Sequence, residues 1–267
     1  MCPPVMGKNP ANSPENPPVT NKLKLIYSML LIVVAMPVLA KDDFSALREQ
    51  MQQRIPGAVV GEIRKSPIPG LLEARVGNNT VFVTQTGDYM LIGDLVDLKT
   101  QRNLSAEQRS KEVLNKVNAV SESNMIIFAP ERTLRTLTVF TDVDCPYCGK
   151  LHREVPELNK AGVRVRYLLY PRTAKGTESY RRAVAVWCAN DRKKALVTAK
   201  AGGQIEMKAC ENPVDQIQKL GHEVGVQGTP TIVVDDGRIV PGYAPAAEII
   251  AALGLGKPAE KNSGAAK

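Results

Sequence analysis

A β-branched run, Leu134–Phe140, ends shortly before Cys145-Pro146-Tyr147-Cys148, and a helical pattern follows at once to Ala161. A strand that feeds a CxxC into the start of a helix constrains fold and chemistry together. Unsatisfied N–H groups and the helix dipole favour negative charge at the first cysteine. They draw a thiol from about 8.5 towards the range of roughly 3.5–7.5. Thiolate is the species that attacks disulfides, so the motif predicts thiol–disulfide exchange. Cys145, nearer the helix end and more exposed, is the expected nucleophile. Cys148, almost one turn inside, is the expected resolving thiol. Pro146 suits a first helical turn because it has no N–H to satisfy.

Other uses of two cysteines fit less well. Zinc needs further ligands, and the chain has two histidines, His152 and His222. A c-type haem needs histidine directly after the second cysteine, where Gly149 stands. A purely structural bridge across so short a loop has poor geometry. No metal and no cofactor are therefore expected. His152, on the same helix, is expected to be a surface residue. Asp142 and Asp144, ahead of the motif, are expected to be solvated loop residues.

The pattern around the motif is α/β. Val163–Tyr170 reads as a second strand, residues 178–200 as one helix and 214–224 as another. Thr231–Asp235 and Arg238–Val240 read as a hairpin turning at Asp236-Gly237, with a last helix over Pro245–Leu253. Upstream, 41–55 has helical spacing. Pro56, Pro67 and Pro69 then break the chain, and strands follow at Thr80–Thr84 and Tyr89–Ile92. That small sheet cannot be stable alone, and its free edges call for a second copy. Residues 105–121 contain neither Gly nor Pro and predict a stiff connecting helix, with Ser105 and Gln108 as a capping box.

The first 40 residues differ from the rest. Six prolines crowd residues 1–20; Lys22 and Lys24 then precede an uncharged run, Leu25–Ala40. The run is shorter than the ~20 residues of a spanning helix and ends in small residues, so a signal peptide cleaved near Ala40 is expected. Cleavage removes Cys2 and leaves four cysteines in an exported chain, where thiols usually pair. With Cys145 and Cys148 reserved for each other or a partner, Cys188 is left with Cys210. The net charge of +8 is scattered, with no run of five basic residues. It reads as solubility, and nucleic acid is not an expected partner.

The segments Phe140-Thr-Asp-Val-Asp-Cys145-Pro-Tyr-Cys148-Gly-Lys-Leu-His152, Val165–Leu168, Trp187-Cys188-Ala189, Gly228-Thr-Pro230 and Val240-Pro-Gly-Tyr243 carry a resemblance. The chain resembles the thioredoxin fold and, more closely, the DsbC/DsbG family over roughly 41–256. The resemblance implies an α+β protein: a leader and signal peptide (1–40), an N-terminal dimerisation domain (41–103), a linker helix (104–122), a thioredoxin-like catalytic domain with a helical insertion (123–257) and a flexible tail (258–267). It implies a V-shaped periplasmic homodimer that rearranges wrong disulfides in misfolded exported proteins, and a membrane reductant of the DsbD type. It also implies Cys145 as nucleophile, Cys148 as resolving thiol, Thr229, a cis Pro230 and Tyr147 against substrate, and Cys188–Cys210 as a structural disulfide. Val139 stands where thioredoxin has a buried carboxylate, which this family also lacks. The Pro146-Tyr147 dipeptide is found in the DsbG branch, but the second cysteine pair favours the isomerase branch. A DsbG-like reductase of oxidised single cysteines, a holdase chaperone and a dithiol oxidase are the alternative readings.

Overall fold

The computed structural model describes residues 43–77 and 79–255. The expected leader, signal peptide, cleavage position and tail lie outside the described residues.

The amino-terminal part opens with α1 (Ser45–Arg54), followed by β1 (Val60–Lys65), β2 (Leu71–Val76), β3 (Asn79–Thr84) and β4 (Met90–Leu91). The four strands form an antiparallel meander in that order. Leu47 and Met51 of α1 close its core over Val60, Ile63, Leu72, Ala74, Val81 and Val83. Strand β1 is absent from the sequence expectation, which treats the prolines as a continuous break. They flank the strand instead of interrupting it: Pro56 precedes it and Pro67 follows it, where no ladder N–H is needed.

A two-stranded ribbon, β5 (Val96–Asp97) and β6 (Arg102–Asn103), leads into α2 (Leu104–Asn118). The cap of α2 is Asn103 and not the expected Ser105. Asn103, in extended conformation, accepts from the Ala106 N–H, whereas Ser105 is already helical. Its buried hydroxyl accepts instead from the Leu95 N–H, 3.0 Å away. Nor does α2 stand free as a connector. Val117 is buried with Met125, Phe140, Leu168, Tyr170 and Ile217. Glu112 takes Arg64 and Arg75 from the first sheet. Gly237, at φ +85°, presses so closely on α2 that a Cβ there would lie 1.9 Å from the Ser110 carbonyl oxygen.

The larger sheet contains β7 (Ile126–Phe128), β8 (Arg135–Thr141), β9 (Val163–Leu169), β10 (Thr231–Val234) and β11 (Ile239–Pro241), ordered β11-β10-β8-β9-β7. Only β8 and β9 run parallel. Side chains alternate between two cores, as the period of two requires. Leu137, Val139, Val165 and Tyr167 face one, and Phe140 and Leu168 the other. The first core is closed by α3 (Pro146–Lys160), through Leu151, Val155 and Leu158, and by α4 (Glu178–Trp187), α5 (Arg192–Lys200) and α7 (Ala246–Ala252). The second is closed by α2 and α6 (Val214–Glu223). Each fully buried Leu or Val contributes about 1.5–3 kcal/mol.

The single helix expected over 178–200 is two. The break has a local cause: Asp191 leaves helical geometry and accepts from the Lys194 N–H as a new cap, while Arg192 Nε donates to the Trp187 carbonyl at 2.8 Å. Strand β7 was not expected either. Three residues show too little alternation to stand out, and only pairing with β9 reveals them.

Cys188 and Cys210 are bonded, with their Cα atoms 5.7 Å apart across a sequence separation of 22. Cys188 caps the end of α4 and is half-buried, not an interior helix residue. The bridge ties the irregular stretch 203–210 to α4. Closing a loop of this length contributes about 3 kcal/mol in the chain-entropy account. Replacing both cysteines by serine is expected to lower unfolding stability by that amount, read as the shift in denaturant midpoint. An unchanged midpoint would show that packing alone holds the segment.

Candidate active site

The strands bring the sequence-predicted residues together. The register Thr231↔Phe140 between β10 and β8 sets the segment before β10 opposite the loop that follows β8. That loop carries Cys145, and the segment carries Thr229 and Pro230. The Thr229–Pro230 peptide is cis, and the Cys145 thiol donates to the Thr229 carbonyl oxygen at 3.2 Å. Cys145 is the N-cap of α3, with Pro146 in the first turn. Both thiols are free. Cys145 is 4% exposed and Cys148 1%, so the expected nucleophile is far less open than its position at a helix end suggests. Tyr147 lies outside them, exposed, with Lys150 Nζ 5.2 Å from its ring centroid.

The two sulfurs are pushed in opposite directions. Burial raises the Cys145 thiol. Hydrogen bonds to its charged form, from the Thr229 side chain, the backbone N–H groups of Cys148 and Tyr147 and the Cys148 side chain, outweigh burial and leave it below the ordinary thiol value. At Cys148 burial wins and the thiol is raised, although Lys200, Thr141 and Thr229 act against it. The Thr229 hydroxyl is buried without a hydrogen-bond partner in the dithiol form. It is therefore a donor that becomes useful when a sulfur carries charge. Thr229→Val is expected to raise the Cys145 pKa and slow its alkylation below that pKa. Thiolate absorbance against pH measures this. A shift downward, or none, would remove Thr229 from the stabilisation of the thiolate.

Asp142 corrects an expectation. It is 1% exposed and not a solvated loop residue. Its carboxylate accepts from Arg172 Nε at 2.9 Å, the Arg172 backbone N–H at 3.1 Å, the Asp144 N–H at 2.9 Å and the Ser179 hydroxyl at 3.2 Å. Burial raises its pKa, and these donors more than offset the rise. Asp144 is exposed, as expected, and pairs with Arg182 at 2.8 Å.

His152 is not a surface residue. It is half-buried, with Nδ1 3.1 Å from the hydroxyl of the buried Tyr167. Burial, and then the charge of Lys200, lower its pKa to about 4, so it is neutral near pH 7. Lys200 escaped the sequence reading altogether. Its Nζ donates to the Thr141 hydroxyl at 2.6 Å and to the Asp142 carbonyl at 3.3 Å. No local pattern marks a lysine at the end of α5 as part of a site formed on α3. Among the described residues, no group of His, Cys, Asp and Glu could hold a metal ion, and no helix is long and apolar enough to cross a membrane.

A strand–CxxC–helix unit with one lowered and one raised thiol, faced by the carbonyl before a cis proline, defines a thioredoxin-like thiol–disulfide oxidoreductase. Comparison with known proteins narrows the class. Residues 123–257 match the family described as Thioredoxin-like domain, and residues 38–106 match Disulfide bond isomerase protein N-terminal domain. The chain is 32% identical over 243 residues to the thiol:disulfide interchange protein DsbC of Dickeya dadantii, covering 90% of this chain and 99% of that one. It is 28% identical to the Escherichia coli K12 protein of the same name, covering 85% of this chain and 94% of that one. To the Haemophilus influenzae protein of that name it is 31% identical, covering 86% of this chain and 98% of that one. The chain belongs to the DsbC family of thiol:disulfide interchange proteins.

Proposed function

We propose that this chain is an exported disulfide isomerase of the periplasm. One observation carries the reading: two free thiols lie at the start of α3, Cys145 as its cap with its thiol on the Thr229 carbonyl and its pKa lowered, Cys148 inside the helix with its pKa raised by burial. The Cys145 thiolate attacks one sulfur of a wrong substrate disulfide. A Cys145–substrate bond forms and the other substrate sulfur leaves as thiolate. A different substrate thiolate then attacks the mixed disulfide, which yields a rearranged pairing and returns Cys145 reduced. If the substrate stalls, Cys148 attacks Cys145. The substrate leaves reduced, and the oxidised enzyme is recharged by a membrane reductant of the DsbD type.

In this reading residues 1–40 are the leader and cleaved signal, 41–103 a dimerisation domain, 104–122 the linker and 123–257 the catalytic domain. Thr229, Pro230 and Tyr147 form the wall on which an extended substrate lies. The apolar edge at Met90, Leu91 and Ile92 favours a homodimer, since exposed apolar side chains along a strand edge invite pairing.

The test is reactivation of a scrambled multi-disulfide protein in a glutathione buffer. Recovery of the native pairing supports isomerisation. Exchange without recovery, together with trapping of folded single-cysteine proteins on a Cys148→Ser variant, would support the DsbG-like reductase instead. Protection from aggregation that survives loss of both cysteines would mark a holdase.

A further inference from the structure

Two arginines are held on the active-site loop by its two aspartates, and the two pairs differ. Strand β8 lies between β10 and β9, so the loop that follows β8 has a neighbour on each side. The register Thr231↔Phe140 puts Thr229 and Pro230 on one side. The register Thr141↔Leu169 puts the segment after β9, with Arg172, on the other. The Asp142 carboxylate accepts from Arg172 Nε at 2.9 Å and from its backbone N–H at 3.1 Å. Asp142 is tied in turn to the nucleophile, since its carbonyl accepts from the Cys145 N–H at 3.3 Å. Of the five N–H donors of a guanidinium, Arg172 spends one on Asp142, and the four on Nη1 and Nη2 bond to nothing else among the described residues. The pair is polarised. The Asp142 side chain is 1% exposed and that of Arg172 48%, so the surface carries the positive partner alone. In the second pair Arg182 Nε donates to Asp144 at 2.8 Å. There the carboxylate is the more open side chain, 35% against 22%, and the charges offset at the surface.

We propose that Arg172 selects clients, receiving on Nη1 and Nη2 a carboxylate that lies one to three residues from the cysteine under attack. The inference rests on the exchange reading of Cys145. A client strand on the Thr229 and Pro230 wall passes over Cys145, and Arg172 stands across the loop from that wall. Adjacent strands are about 4.8 Å apart, so the two flanks of the loop are separated by roughly 10 Å. An extended chain covers that distance in about three residues. The open end of the guanidinium offers two parallel N–H groups, the geometry that takes a carboxylate by both oxygens. Its orientation is set before a client arrives. Asp142 holds Nε and the backbone N–H, and is itself held by the Ser179 hydroxyl and the Asp144 N–H. Less side-chain freedom is then lost on binding. Lys150 is a second cation beside the motif, but its ammonium lies 5.2 Å from the Tyr147 ring centroid and is a point charge with no fork.

The test compares peptides that differ in one charge. Symmetric disulfide dimers of a short single-cysteine peptide carry Glu or Gln two residues after the cysteine. Reduced full-length chain opens each, and the released peptide thiol is followed by chromatography of acid-quenched samples. Each rate is divided by the rate at which mercaptoethanol thiolate opens the same dimer, which removes the intrinsic effect of the neighbouring charge. The wild type is expected to favour Glu over Gln by roughly 10-fold, the scale of one charge-assisted pair. Arg172→Gln is expected to bring the two within about two-fold, as screened long-range charge alone would give. A merely structural role for Arg172 predicts something else: a loosened loop slows both peptides alike and leaves the preference intact. Arg172→Lys keeps the charge and an N–H for Asp142 without the fork, and it should lose the preference as well. Should glutamine prevent folding, the lysine variant decides. Equal rates for Glu and Gln in the wild type, or a preference that persists in the variants, would overturn the proposal. A wild-type chain that opens neither dimer would instead remove the exchange reading, and the proposal with it.

Discussion

Cys145→Ser is expected to leave reactivation of a scrambled protein at the uncatalysed background. The loss should be at least about 10²-fold, the scale on which a group taking direct part in a reaction ordinarily counts. A serine hydroxyl at the cap of α3 receives the same N–H groups, but it does not ionise near neutral pH and cannot open a disulfide. Cys148→Ser should behave differently. The nucleophile remains, so rearrangement continues on substrates that supply their own second thiol. Release of stalled substrates is lost, and mixed disulfides at Cys145 accumulate. Non-reducing electrophoresis of each variant after incubation with substrate separates the two. Equal activity of Cys145→Ser and the wild type would assign the chemistry elsewhere, whereas adducts accumulating on Cys145→Ser and not on Cys148→Ser would reverse the roles.

The second large effect concerns association. Ile92, directly after the edge strand β4, is 71% exposed, and Leu98, directly after β5, is 80% exposed. Neither supports the fold of one chain, so a charge at Ile92 leaves the monomer intact. Within a dimer formed along this edge the same charge would be buried without a partner. That costs about 3–5 kcal/mol, or roughly two to three and a half decades in Kd. Ile92→Asp is therefore expected to give a monomer by sedimentation. Isomerase activity should fall, and reactivity of Cys145 towards a small disulfide should be unchanged. A variant that sediments as the wild type would move the interface elsewhere.

Much of the site is legible along the chain because its chemistry is local. A CxxC after a strand and before a helix fixes the position of both sulfurs relative to the N–H groups of α3, whatever the rest of the chain does. The elements that escaped have physical reasons of their own. Strand β1 is flanked by prolines that look like interruptions, and β7 is too short to show a period. The break at 188–191 depends on Asp191 and Arg192 competing with helix continuation. Ser105 looks like the natural cap of α2, but the neighbouring ribbon claims its hydroxyl and Asn103 takes the role. Asp142 and His152 read as polar surface residues, because nothing near them in sequence reveals the Arg172 and Tyr167 that enclose them.

The sequence by itself determined that this chain would hold two thiols at the start of a helix, the first favoured as a thiolate, with a Thr-Pro dipeptide ahead of a hairpin. These are properties of neighbouring residues and need only backbone geometry. Only the tertiary structure decided how the two thiols differ and what surrounds them. The pairing of β10 with β8 brings Thr229 to Cys145, and the close approach of α5 to Gly149 brings Lys200 to Thr141 and the Asp142 carbonyl. Hydrogen bonds and desolvation act over a few ångströms in space, and the residues that supply them here lie far apart in the chain.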